Sequence, residues 1–119
     1  MISKKEVVEK VDKGWGHELI FVNNDEYCGK ILHFEKNKSF SLHYHLQKKE
    51  TWYVASGKFR LVWIDTRIGK QHEEILEPGE VITNERGAPH QLFCLETGDI
   101  FEVSTRHFDC DSFRIVKGD

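Results

Sequence analysis

Turn signals interrupt this chain so often that no long element fits between them. Glycine, asparagine, aspartate and proline clusters recur roughly every ten residues, the spacing of short strands joined by tight turns. The intervals are rich in β-branched and aromatic residues. They predict strands at Trp15 to Val22, Tyr27 to Phe34, Ser39 to His45, Glu50 to Ser56, Lys58 to Asp65, Gln71 to Leu76, Glu80 to Asn84, His90 to Leu95 and Asp99 to Ser104, with an edge strand at Ser112 to Val116. The strands flanking Gly57 are expected to pair. The one helical expectation is Ser3 to Lys10, where Ser3 as N-cap and Glu6 three residues later form a possible capping box. So many short strands imply an all-β sandwich or closed barrel, and 119 residues suit one domain, 1–119, with one core.

Charge and composition narrow the partners. The net charge of -3 argues against a general nucleic-acid binder, which needs basic residues to displace phosphate counterions. No run approaches the roughly 20 apolar residues that span a bilayer, so no membrane association is expected. Met1 to Lys10 lacks an apolar stretch of the signal-peptide kind. Three widely spaced cysteines, Cys28, Cys94 and Cys110, do not read as a disulfide framework, and a cytoplasmic location is expected.

The chemistry concentrates in His43-Tyr44-His45-Leu46-Gln47-Lys48-Lys49-Glu50. Strand residues two apart share a face, so His43 and His45 project side by side. Glu50 opens the next strand and adds a carboxylate. His90 follows Gly87-Ala88-Pro89 at the start of a later strand. Three imidazoles and one carboxylate suit Zn, Mn, Fe, Co or Ni and leave positions open for water or substrate. Seven histidines produce some His-x-His pair by composition often enough that the pair alone decides little. The whole spacing carries the weight: His43, His45, Glu50 and Gly57, then Gly79, Gly87 and His90.

With that spacing the chain resembles the cupins, and both cupin motifs stand in order. Glu85 replaces the usual proline of the second motif and Cys94 its frequent asparagine. The resemblance implies a double-stranded β-helix, or jelly-roll barrel, with one divalent transition metal ion held inside by His43, His45, Glu50 and His90. A narrower resemblance is to the cupin domain of type II mannose-6-phosphate isomerases, carried by Lys13-Gly14-Trp15-Gly16, Gly29-Lys30-Ile31, Phe40-Ser41-Leu42, Glu50-Thr51-Trp52 and Glu102-Val103-Ser104-Thr105. That group has glutamine at His43 and arginines at Lys48 and Gln91. The site is thus richer in histidine and poorer in guanidinium groups, which a lysine does not replace as a bidentate donor.

Around the ligands, Ser41, Lys48, Trp52, Gln91 and Cys94 are the candidate substrate-binding residues. Trp52 suits either sugar stacking or the core, and Cys94 either the metal or a small buried position. Lys30 and Tyr53 are the candidate acid/base groups; both faces of the Lys30 strand are apolar, so its direction is open. His17, His33, His72 and His107 read as surface or edge residues. Phe40, Leu42 and Tyr44 are expected opposite the ligands, and Lys58 to Asp65 is apolar on both sides, which predicts a homodimer. The small-molecule ligand is expected to be a sugar or sugar phosphate. The leading function is aldose–ketose isomerisation or epimerisation, assisted by the metal as a Lewis acid. An Fe(II)-dependent dioxygenase and a non-catalytic sugar-binding module stand beside it.

Overall fold

The computed structural model describes residues 1–119 as two antiparallel sheets packed face to face. The strands are β1 (Glu9–Lys13), β2 (Gly16–Asn23), β3 (Cys28–Phe34), β4 (Leu42–Tyr44), β5 (Glu50–Val54), β6 (Lys58–Asp65), β7 (Lys70–Leu76), β8 (Val81–Asn84), β9 (His90–Glu96), β10 (Gly98–Ser104) and β11 (Phe113–Val116). A 3-10 turn at Asp109–Asp111 precedes β11. One sheet runs β1-β2-β3-β10-β5-β8 and the other β11-β4-β9-β6-β7. This is the all-β jelly-roll barrel that the resemblance implied. No helix is long and apolar enough to cross a membrane.

The inward faces change character along their length, and this positions the site. In the six-stranded sheet, Leu32, Ile100 and Val54 form one buried cross-strand row, and Lys30, Glu102 and Trp52 form the row beside it. On β9 the inward series runs His90, Leu92, Cys94. One end of the barrel is therefore apolar, with Phe34, Phe59, Ile100 and Cys94 almost completely buried. Trp15 stacks on Phe34 at 4.3 Å, and Phe59 meets Phe34 edge-on. Complete burial of Phe34 or Phe59 contributes roughly 1.5–3 kcal/mol each. The other end has polar groups on the same strands and cannot close as a dry core.

Three expectations are corrected. Ser3 to Lys10 forms no helix; the chain enters β1 at Glu9, because eight exposed residues cannot offset the cost of helix nucleation. β5 and β6 do not pair: β5 lies between β10 and β8, and β6 between β9 and β7. Gly57 instead carries the chain from one sheet to the other. Its φ is +83°, and a Cβ there would stand 2.6 Å from the Glu96 carbonyl oxygen. Phe40 does not lie opposite the histidines either. The ladder of β4 starts only at Leu42, so strand alternation does not reach back to Phe40, which is buried against Trp15, Phe34 and Trp52.

Candidate metal centre

β4 and β9 bring His43 and His90 directly opposite each other, and His45 follows the end of β4. Ring centroids are 4.8 Å apart for His43 and His90, and 4.9 Å for His43 and His45. One ring nitrogen from each of the three histidines lies within 4.8 Å of the others, a cluster able to hold a metal ion. Each Nδ1 meets a backbone carbonyl: Ser41 at 2.7 Å, Asp111 at 2.7 Å and Ala88 at 2.9 Å. A carbonyl only accepts, so each Nδ1 carries the proton and each Nε2 keeps its lone pair. Burial, then the neighbouring imidazoles, lowers the His43 pKa to about 3. Burial, then Lys48, lowers that of His45 to about 4. Both rings are neutral at ordinary pH, the form that ligates.

Glu50 opens β5 beside this cluster. Its Oε1 lies 3.0 Å from His90 Nε2, and that nitrogen is buried with no hydrogen-bond partner. With the proton on Nδ1, the Nε2 lone pair faces the carboxylate, an arrangement that a shared cation would satisfy. Ligand atoms about 2.1 Å from one ion and at right angles to each other stand about 3.0 Å apart, so the pair fits a shared metal. Asn84 Nδ2 donates to the same Glu50 oxygen at 3.2 Å, and Lys48 Nζ lies 3.1 Å from the other. Burial raises the Glu50 pKa, but the positive charge beside it, with the Lys48 ammonium at 3.1 Å, outweighs that and holds the carboxyl well below its usual range.

A second buried carboxylate, Glu102, completes the floor. Trp52 Nε1 donates to Glu102 Oε1 at 3.0 Å. Its Oε2 has no hydrogen-bond partner and lies 3.6 Å from Lys48 Nζ. Burial, followed by the negative charge of Glu50, pushes the Glu102 pKa up. Lys48 is the link between the two acids. Burial would lower its pKa, but Glu102 and Glu50 raise it above the lysine range, so the ammonium stays charged.

These groups face a cavity of about 700 Å³. Ser41, His43, His45, Lys48, Glu50 and Trp52 line it, as does Lys30, which is 3% exposed and 3.6 Å from Glu18. Ser41 Oγ lies 3.1 Å from His43 Nδ1. His107, expected at the surface, also lines the cavity; its Nε2 donates to Asp109 at 3.0 Å, and Lys48 Nζ faces its Nδ1 at 3.4 Å. Asp111 holds the loop behind His45. Its carboxylate accepts the backbone N–H groups of Leu46, Gln47 and Lys48 at 2.9–3.2 Å.

Three expected site residues are not brought there. Tyr53 is 44% exposed on the outer face of β5, because it alternates with the inward Glu50 and Trp52 series. Gln91 alternates with His90 and donates instead to the Phe40 carbonyl at 3.0 Å. Cys94 points inward, but at the apolar end, against the carbonyls of Phe34 and Glu96, and burial raises its pKa to about 11. Glu102 and His107 were missed. In β10 the outward residues are Phe101 and Val103, so the usual rule of apolar inside and polar outside points Glu102 the wrong way.

Residues 30–105 match the cupin domain family, and the chain belongs to it. No curated protein matches the chain in sequence. Among solved structures it is similar to oxalate decarboxylase of Bacillus subtilis, with a TM-score of 0.81 and 16% identity over 91% of this chain. The structure of that enzyme at pH 4.6 matches with a TM-score of 0.80 and 17% identity. Another, described in a study of its Mn(II) centres, has a TM-score of 0.81 and 16% identity. The chain spans 30% of the length of these proteins. At such identity the likeness shows the shared fold.

Proposed function

We propose that this cupin is a metal-dependent enzyme that moves a proton on a small sugar or sugar phosphate, by aldose–ketose isomerisation or epimerisation. His43, His45 and His90 with Glu50 would hold one divalent transition metal ion, a reading supported by the unpaired His90 Nε2 beside Glu50 and by the Mn(II) centres named for the similar decarboxylase. Such an ion, when bound, polarises a carbonyl or hydroxyl oxygen. The observation that carries the proton-transfer reading is Glu102. It is a buried carboxylate on the cavity wall with one oxygen that makes no hydrogen bond and lies 3.6 Å from the Lys48 ammonium, close to the histidines yet outside their set. Glu102 would take a proton from the carbon beside the polarised group and return it to the neighbouring carbon. Trp52 fixes one carboxylate oxygen and leaves the other for this transfer. Lys48 keeps the two acids from repelling each other. Lys30 lies in the same row as Glu102 and would orient substrate hydroxyls.

The test is a panel of aldose phosphates with added Mn, Zn or Fe. Glu102→Gln should keep stoichiometric metal and lose at least about 100-fold in turnover, the scale of one acid/base group. No conversion by the unaltered protein with any metal would reject the reading. Fe(II)-dependent oxygen uptake that survives Glu102→Gln would favour the dioxygenase.

The homodimer is also proposed, but on a different face from the one the sequence suggested. Leu19, Ile31, Phe101, Tyr53 and Val81 form one row across the outside of the six-stranded sheet. Phe101, Tyr53 and Val81 are 43%, 44% and 63% exposed. A cytoplasmic location is retained as a proposal on the three free thiols.

A further inference from the structure

We infer that the cavity recognises an oxyanion, the phosphate or carboxylate of its ligand, through Arg114, a residue outside both cupin motifs. This rests on the reading of the cavity as a ligand site and adds the chemical class that enters it. Arg114 lies on β11 directly opposite His43. Its neighbour Phe113 stacks on Tyr44, so Arg114 takes the other face of the strand, where it is solvent-exposed and lines the mouth of the cavity.

Its freedom is the decisive feature. The other four arginines are each tied: Arg60 to Glu73, Arg67 to Asp65, Arg86 to the Gln47 carbonyl and Arg106 to Asp25. Arg114 has neither an ion pair nor a side-chain hydrogen bond, although it sits beside a polar cavity. The remaining cations near the histidines are already engaged, Lys48 by Glu50 and Glu102, and Lys30 and Lys13 by Glu18. Lys117, also on the cavity wall and unpaired, adds a second positive charge on the same side. Of the acids at the rim, Asp119 accepts from Ser39 N and lies 4.0 Å from Lys38, and Asp109 holds His107. Glu9, on β1, is the one that stays unpaired.

A guanidinium presents two parallel N–H donors that match the oxygens of a phosphate or carboxylate. The chain lacks a guanidinium at Lys48 and at Gln91, and neither side chain is free in the fold: one is locked between two acids and the other points outward. Arg114 supplies the fork from another direction. An anion held there places the rest of a small ligand against His43 and the floor of the cavity.

The test uses the full chain, both metal-loaded and metal-stripped. Inorganic phosphate and acetate are titrated separately and followed by the NMR signals of the Arg114 guanidinium and of the β11 amides. The expected result is a saturable shift with and without metal. Arg114→Gln should weaken binding by about tenfold or more and Arg114→Lys by less, because the lysine keeps charge but loses the fork. Tighter phosphate than acetate assigns a phosphate ester, and the reverse assigns a carboxylate. Arg114→Lys also guards against a folding defect, since β11 should keep its amide pattern. The inference is overturned if Arg114→Gln binds within about twofold of the unaltered chain, or if uncharged mannitol gives the same shifts. It also falls if the shifts appear only with metal bound and centre on the histidines. A chain that takes up no metal yet keeps the Arg114 response would sink the enzyme reading and leave this one standing.

Discussion

Replacing Asp111 with alanine should destabilise the protein by about 3 kcal/mol. Its carboxylate accepts three successive backbone N–H groups, and Asp111 itself is 2% exposed. The Lys48 N–H is buried, and leaving it unpaired costs about 1–3 kcal/mol; the Leu46 and Gln47 N–H groups are partly buried and recover some of their loss through water. That is a large part of a typical total stability of roughly 5–15 kcal/mol. In urea the midpoint should fall by about 1.5 M at an unchanged slope of about 2 kcal/mol/M. Asp111→Asn keeps one acceptor oxygen and should lose about half as much. The pH dependence has a definite sign. Burial raises the Asp111 pKa, but the three N–H groups outweigh it and hold the carboxyl below its ordinary value. Its contribution is therefore present above the unfolded pKa of about 3.9 and is lost as pH falls through the folded value. The gap between the two proteins should narrow from about pH 5 toward about pH 3. Alanine keeps the residue-111 carbonyl that holds His45 Nδ1, but loosening the turn that positions this carbonyl should lower metal affinity as well, read by calorimetry. A loss below about 1 kcal/mol at neutral pH, with metal affinity unchanged, would refute the reasoning.

Metal at about 100 times its Kd should stabilise the chain by about 2.7 kcal/mol, raising the melting temperature relative to protein in chelator. His90→Ala should abolish that difference, and a retained metal-dependent shift would count against the ligand assignment. The hydrogen bond to Asp99 at 2.7 Å, over the opposing effect of burial, raises the His33 pKa. Its stabilisation is complete below the unfolded value of about 6.5 and disappears as pH rises through the folded value, so Asp99→Asn should cost stability at about pH 5.5 but little at about pH 9. Phe101→Glu on the exposed row should yield a monomer by light scattering at micromolar concentration. A monomeric unaltered chain would dispose of the dimer.

How much was legible follows from what strand periodicity encodes. Turn residues set the strand limits, so Lys58 to Asp65 is β6 as expected, and Glu50 and His90 do open β5 and β9. The histidines and glutamate that the spacing singled out do lie together, because each sits within a residue or two of a strand end and all four ends meet. A period of two, however, tells which residues share a face and not which face is inside. Hydrophobicity normally breaks that tie. Here it misleads at one end of the barrel, where Lys30, Glu50 and Glu102 point inward while Tyr53, Phe101 and Val103 face outward.

The sequence by itself therefore marked out most of the strands and an all-β fold, and it singled out the imidazole–carboxylate set. Only the tertiary structure decided what surrounds that set. Glu102 reaches it through the β10–β5 pairing, Asp111 through a turn more than sixty residues from His45, and Arg114 through the β11–β4 pairing. These are contacts between segments distant in the chain, and local pattern carries no record of which distant strand will lie alongside. The unfamiliar surroundings of the histidines, which the motif left open, are supplied by the chain's last twenty residues and by a carboxylate on a strand whose outward face is apolar.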